Sequence, residues 1–176
     1  MKARNKVLAT VMAGLLSTAA GAASDGTVGL TSTGQIGIGV QILDSVQISA
    51  LNDVSFGTYG GTDTGARNAG DAFCVYVNGG DNYTITPTSS NGQFSLVGLL
   101  GDQIDYTVKL LDAATGADTA ASVGYNAASA SFVGSPARNC GASDNASVDI
   151  SITEAELGAA STDTYLDTLI LLVNPI

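Results

Sequence analysis

Between Gly34 and Leu43 the chain reads GQIGIGVQIL. In an extended chain Ile36, Ile38, Val40 and Ile42 share one face, and Gln35, Gly37, Gly39 and Gln41 share the other. Alternation of period two, with β-branched residues on the apolar side, is the pattern of a β-strand. At about 3.3 Å per residue this strand would reach about 33 Å, the length of a small sandwich.

Outward from this stretch the same grammar repeats. SVQIS and DVSFGTY follow, then a turn-rich stretch over 60–70. Further strands are expected at Ala72–Val77 (AFCVYV), Tyr83–Thr88 (YTITPT), Gln93–Leu100 (QFSLVGLL), Ile104–Leu111 (IDYTVKLL), Ser147–Thr153 (SVDISIT) and Tyr165–Val173 (YLDTLILLV). NGGDN and DAATGAD between them are turn material. One short helix is expected over Thr153–Ala160, where TEAELGAA offers a capping-box-like start. Over 112–147 the spacing loosens, and only SFVG at Ser131–Gly134 looks strand-like. Many short strands separated by turns imply an all-β fold, an antiparallel immunoglobulin-like Greek-key sandwich. The last strand carries Leu169, Ile170, Leu171, Leu172 and Val173 in an unbroken run, which implies burial on both faces and a neighbour on each side.

The chain has 176 residues, of which 45% are apolar and only 12% charged, with no His and no Trp. Without His, Ser-His-Asp and Cys-His catalysis and imidazole metal ligation are excluded. The reading is of a protein that is not an enzyme and uses no cofactor or metal. Lys2, Arg4 and Lys6 precede an apolar run from Val7 to Ala20 and the small residues Ala20-Gly21-Ala22, the layout of a secretory signal peptide over 1–22. Beyond it only Arg67, Lys109 and Arg138 face the same sixteen acids, so −10 becomes −13. Nucleic acid and anionic membrane surfaces are therefore poor partners. No later apolar run is long enough for a membrane span. The expected organisation is a signal peptide at 1–22, an extension with the alternating strand at 23–43, and a sandwich domain at 44–176.

Cys74 and Cys140 are the only cysteines, and an exported chain favours a structural disulfide between them. The alternatives, a reactive thiol or a metal site, lack an activating base and a complete ligand shell. Closing a loop of that length contributes about 4 kcal/mol in the chain-entropy account. Asn82-Tyr83-Thr84 and Asn145-Ala146-Ser147 match the glycosylation acceptor pattern, and Asp102/Asp105 and Glu154/Glu156 are acidic pairs. They read more simply as chance matches and solvated turn carboxylates.

VSFGTY at Val54–Tyr59, FCVYVNGGDNYTITP at Phe73–Pro87, YTVKLLDA at Tyr106–Ala113 and the ending TDTYLDTLILLVNP at Thr162–Pro175 follow the alternating strand in order. In that order they resemble the spore coat protein U-like family, which includes subunits of archaic chaperone–usher pili. The resemblance implies a sandwich lacking its last strand. A periplasmic chaperone lends a strand, and an outer-membrane usher exchanges it for the N-terminal strand of another subunit, identical or related. It further implies a fimbrial subunit at the cell surface, reached through the periplasm.

Carried over, Ile36, Ile38, Val40 and Ile42 would be donor-strand side chains. Leu166, Leu169, Leu171 and Val173 would border the groove for a neighbour's or the chaperone's strand. Which parity of the last strand faces that groove stays open, because both alternating sets contain apolar residues. Burying four Val/Ile side chains would contribute about 6–12 kcal/mol before association costs. Many family members carry a cysteine just after the donor strand. Here that position reads LDSV at Leu43–Val46, so Cys74 pairs with Cys140 or stays free. The other function class is a free-standing secreted or tip β-sandwich, an adhesin or carbohydrate-binding module.

Overall fold

A computed structural model describes residues 23–176; the signal peptide expected at 1–22 lies outside the described residues. The chain divides between Leu43 and Asp44.

Within 44–176 the protein is an antiparallel all-β sandwich. Eleven strands form it: β1 Val46–Ser49, β2 Arg67–Val77, β3 Asn82–Ser89, β4 Ser95–Gly98, β5 Gln103–Asp105, β6 Thr107–Leu111, β7 Ser122–Val123, β8 Phe132–Val133, β9 Ala146–Ile152, β10 Tyr165–Leu166 and β11 Leu169–Pro175. One sheet runs β1-β2-β9-β6-β7, and the facing strands run β10-β4-β5 and β11-β3-β8. The single helix among the described residues with α geometry is α1, Glu154–Ala159. It starts where the capping pattern places it, with the Thr153 hydroxyl accepting the Glu156 N–H at 3.2 Å. No helix among the described residues is long and apolar enough to cross a membrane.

Alternation decides what is inside. Phe73, Val75 and Val77 of β2, Tyr83 and Ile85 of β3, Val108 and Leu110 of β6, and Val148, Ile150 and Ile152 of β9 form one buried cluster. Tyr83 and Phe132 meet edge to face with centroids 5.7 Å apart, the favoured arrangement of two rings. The disulfide joins Cys74 of β2 to Cys140 with a Cα separation of 5.8 Å. Beside it the Asn145 side chain acts as a short strand: it accepts the Val75 N–H at 2.8 Å and donates to the carbonyls of Val75 and Val133. The amide nitrogen of that acceptor motif is therefore engaged in the fold.

Several expected strands come out differently. β2 begins at Arg67, inside the expected turn region, because Arg67–Phe73 has β9 as a partner across a continuous register. The expected strand 104–111 is cut at Tyr106, where the chain leaves one layer for the other: β5 pairs with β4, and β6 with β9. DVSFGTY is not a strand. Ala50 after β1 adopts the left-handed conformation (φ 64°), and residues 50–66 form no ladder with β2. This stretch reaches β2 through side chains instead, as where the Asn52 backbone and side-chain amides donate to the Asp71 carboxylate at 2.7 and 3.1 Å. Over 112–147 the chain is ordered by β7, β8 and short 3-10 turns.

Residues 23–43 form no strand beyond one bridge. Ser24 and Gln35 exchange backbone hydrogen bonds at 3.0 and 2.9 Å, and residues 36–43 lie in no strand or bridge. The expected strand at 34–43 is thus absent as secondary structure, because a single strand has nowhere to place its backbone hydrogen bonds without a partner.

Candidate functional site: an open strand edge beside a groove

β11 carries the sequence LILLVNP with an alternating burial pattern. Leu169, Leu171 and Val173 pack, half-buried, against the core, whereas Ile170 and Leu172 are 48% and 57% exposed. This corrects the expectation of a strand buried on both faces with a neighbour on each side. β11 ends its sheet, and β3 is its partner. An unbroken apolar run was a misleading signal here, since the outward residues lie over a sheet face that the sandwich leaves open.

Which backbone groups remain outward follows from the register. Ile176 N–H donates to the Asn82 carbonyl, and Ser90 N–H to the Thr168 carbonyl, so even-numbered residues of this strand turn their backbone toward β3. Leu169, Leu171 and Val173 therefore turn their N–H and C=O groups to the other edge, where no strand pairs among the described residues. Pro87 stands opposite Leu171, at a position that turns away from β11 and so needs no N–H there. Its own carbonyl accepts the Asn126 N–H at 2.9 Å instead.

The final strand is broken at Asp167–Thr168. Leu166 lies opposite Val97 and Leu169 opposite Ser89, so three residues of progress on one strand face eight on the other. The Asp167 carboxylate holds this break. It accepts the hydroxyls of Ser89 (2.6 Å), Tyr106 (2.6 Å) and Ser90 (2.8 Å), and the Thr168 N–H (2.7 Å). Partial burial alone would raise the Asp167 carboxyl, but these hydrogen bonds together outweigh it and hold the group below the usual carboxylate range. Burial, reinforced by the hydrogen bond to Asp167 and by its charge, pushes the Tyr106 phenol well above its ordinary value.

Beside this break lies a groove of about 630 Å³. Its walls are Val54–Tyr59 and Ala160–Asp167, and Leu96, Ile104, Ile152 and Leu157 form its floor. Val54 and Phe56 are half-buried against the core, a strand-like alternation without a ladder. Arg67 is the cation of the lining. Its guanidinium lies 5.5 Å from the Tyr59 ring centroid and its Nη2 is 3.2 Å from Asp63, while its buried Nε has no partner. Asp163 faces the same groove, its carboxyl held low by the N–H groups of Leu100 and Thr164.

Of the four residues proposed to border the groove, Leu166 lines it and is 67% exposed. Leu169, Leu171 and Val173 instead form the open edge that continues from it. From the sequence, 54–59 reads as part of a strand and of the family resemblance, not as a groove wall, and neither Arg67 nor Asp167 has a role in a site. Only the Val54/Phe56 alternation could have hinted at the wall. Ile36, Ile38, Val40 and Ile42, within 23–43, are 83%, 94%, 85% and 78% exposed. No family model matches the chain, and no curated protein matches it.

Proposed function

We propose that this protein is a structural subunit, not a catalyst, of an exported fimbria built by strand exchange. Its 44–176 sandwich is an immunoglobulin-like fold short of one strand, and the missing strand is the 34–43 segment of another copy. During export a periplasmic chaperone fills the same edge, and an outer-membrane usher replaces it with the next subunit's segment. The observation that carries this reading is the pairing of an open apolar edge at Leu169, Leu171 and Val173 with an exposed alternating stretch at Ile36, Ile38, Val40 and Ile42. Strand addition joins such halves: the ladder gives direction, and the alternate side chains fill the groove. A head-to-tail contact of this kind does not close on itself and propagates as a filament. The large negative charge then keeps filaments apart sideways.

Deleting residues 24–43 behind an intact leader tests this. The truncated chain should still fold and be exported, yet give no detergent-resistant ladder on unheated gels. Ladders equal to those of the full chain would refute the reading.

A further inference from the structure

Arg67 is the one cation in a groove whose other charged lining residues are Asp163 and Asp167. Only three cations follow residue 6, and this one lines the same groove as Asp167, at which the final strand breaks. Tyr59 supports the guanidinium from one side and Asp63 from another, so the fork is held in position. Yet its Nε is buried and unpaired. A fixed, partly desolvated donor of this kind leaves an acceptor to be supplied from outside. Asp63 meets Nη2 alone, and the other nearby acids are committed elsewhere: Asp167 to three hydroxyls and a backbone N–H, Asp163 to two backbone N–H groups.

The segment proposed to enter the groove brings few acceptors that carry charge. Between Asp25 and Asp44 no residue is charged. Asp44 follows Ile42 by two positions, about 7 Å along an extended chain. Asp25 precedes Ile36 by eleven, about 36 Å away. Asp44 is itself exposed.

We propose, resting on the strand-exchange reading above, that Arg67 is a positioning residue: it pairs with Asp44 of the incoming copy and thereby sets the direction and register of that strand. The pairing puts the C-terminal end of the strand at the groove and its N-terminal end toward Pro175. The incoming strand then runs antiparallel to β11, as every named strand pair of this sandwich does. The opposite direction would leave Arg67 facing the uncharged Gly34–Gln35 end.

Full-length chains carrying D44N, D44R, R67Q, R67D and the exchange R67D/D44R would be compared by the yield of detergent-resistant ladders at low and high salt. Asp44 is exposed, so D44N and D44R should fold normally even if an Arg67 variant does not. Ladder yield should fall about threefold to tenfold in each single variant and recover in the exchanged pair. The wild-type yield should fall with salt, and that of D44N should not. A wild-type yield unmoved by D44N and D44R would overturn the Arg67–Asp44 pairing while leaving strand exchange intact. Loss in the single variants without recovery in the folded exchange variant would overturn it too. A wild type that forms no ladder at all would instead fail the underlying strand-exchange reading, and the pairing with it.

Discussion

Two stretches of this chain carry nearly the same pattern and meet opposite fates. In β9, Val148, Ile150 and Ile152 alternate with small or polar residues and are 5%, 9% and 1% exposed. In 36–42, Ile36, Ile38, Val40 and Ile42 alternate with Gly and Gln and are 78–94% exposed. β9 sits between β2 and β6, with a ladder on each side. Residues 36–42 have no ladder at all. The pattern specifies which face would be buried; a partner decides whether it is. A strand pattern with no ladder of its own is what the strand-exchange proposal requires of the incoming segment, and β11, paired on one side alone, is what it requires of the acceptor.

Stability measurements should separate the two stretches. The largest loss is expected from replacing both cysteines with serine. It removes the cross-link between β2 and the 137–143 loop and should lower unfolding free energy by about 4 kcal/mol in a chemical denaturation series. The same variant should leave Ile36–Ile42 as exposed as before.

Next comes a direct contrast. Ile150→Ala should cost about 3 kcal/mol, through lost burial and the cavity left in the core. Ile38→Ala should change stability by less than about 0.5 kcal/mol and yet reduce ladder formation. Equal stability effects would show that 36–42 is part of this molecule's own core.

Asp167→Ala should cost about 2 kcal/mol, because the buried Ser89 hydroxyl and the Tyr106 phenol lose their acceptor. The sign of its pH dependence is fixed by the direction of the shift. The carboxyl titrates lower in the folded than in the unfolded chain, so its contribution is present above the unfolded value. That contribution fades as pH falls below about 4, through the lower folded value. Acid unfolding curves of the wild type and the Ala variant should therefore converge at low pH.

The smallest effect belongs to Ala50→Gly. Relieving the left-handed conformation at φ 64° should raise stability by about 0.5–1 kcal/mol, measured by thermal unfolding. It should leave ladder formation unchanged.

Local pattern made much of this architecture legible. AFCVYV, YTITPT and SVDISIT alternate because their faces see core and solvent in turn, and they stand as β2, β3 and β9 almost where the pattern puts them. The Thr153 cap was legible for the same reason: its hydrogen bond is local. What escaped depended on distant partners. Arg67–Asp71 reads as turn material until β9 is set beside it. Ile104–Leu111 reads as one strand until the layers pull it apart at Tyr106. Asp167 looks like an ordinary polar interruption of an apolar strand, yet it is the acceptor for hydroxyls 78, 77 and 61 positions away. The groove was legible only through Leu166. Its second wall, 54–59, lacks the ladder that would have marked it as an element, and Arg67 becomes conspicuous only once that wall is in place.

The central claim is that the outer edge of β11 takes an extended strand, and amide hydrogen exchange reads that edge residue by residue. The chain lacking residues 24–43, whose edge no other copy can fill, would be followed by NMR alone and with an excess of a synthetic peptide of residues 34–45. The amides of Ile170, Leu172 and Asn174, which face β3, should be protected in both samples. Those of Leu169, Leu171 and Val173 should exchange quickly alone and slow by about a hundredfold with peptide. Slowing of all six together, or of none, would contradict the account.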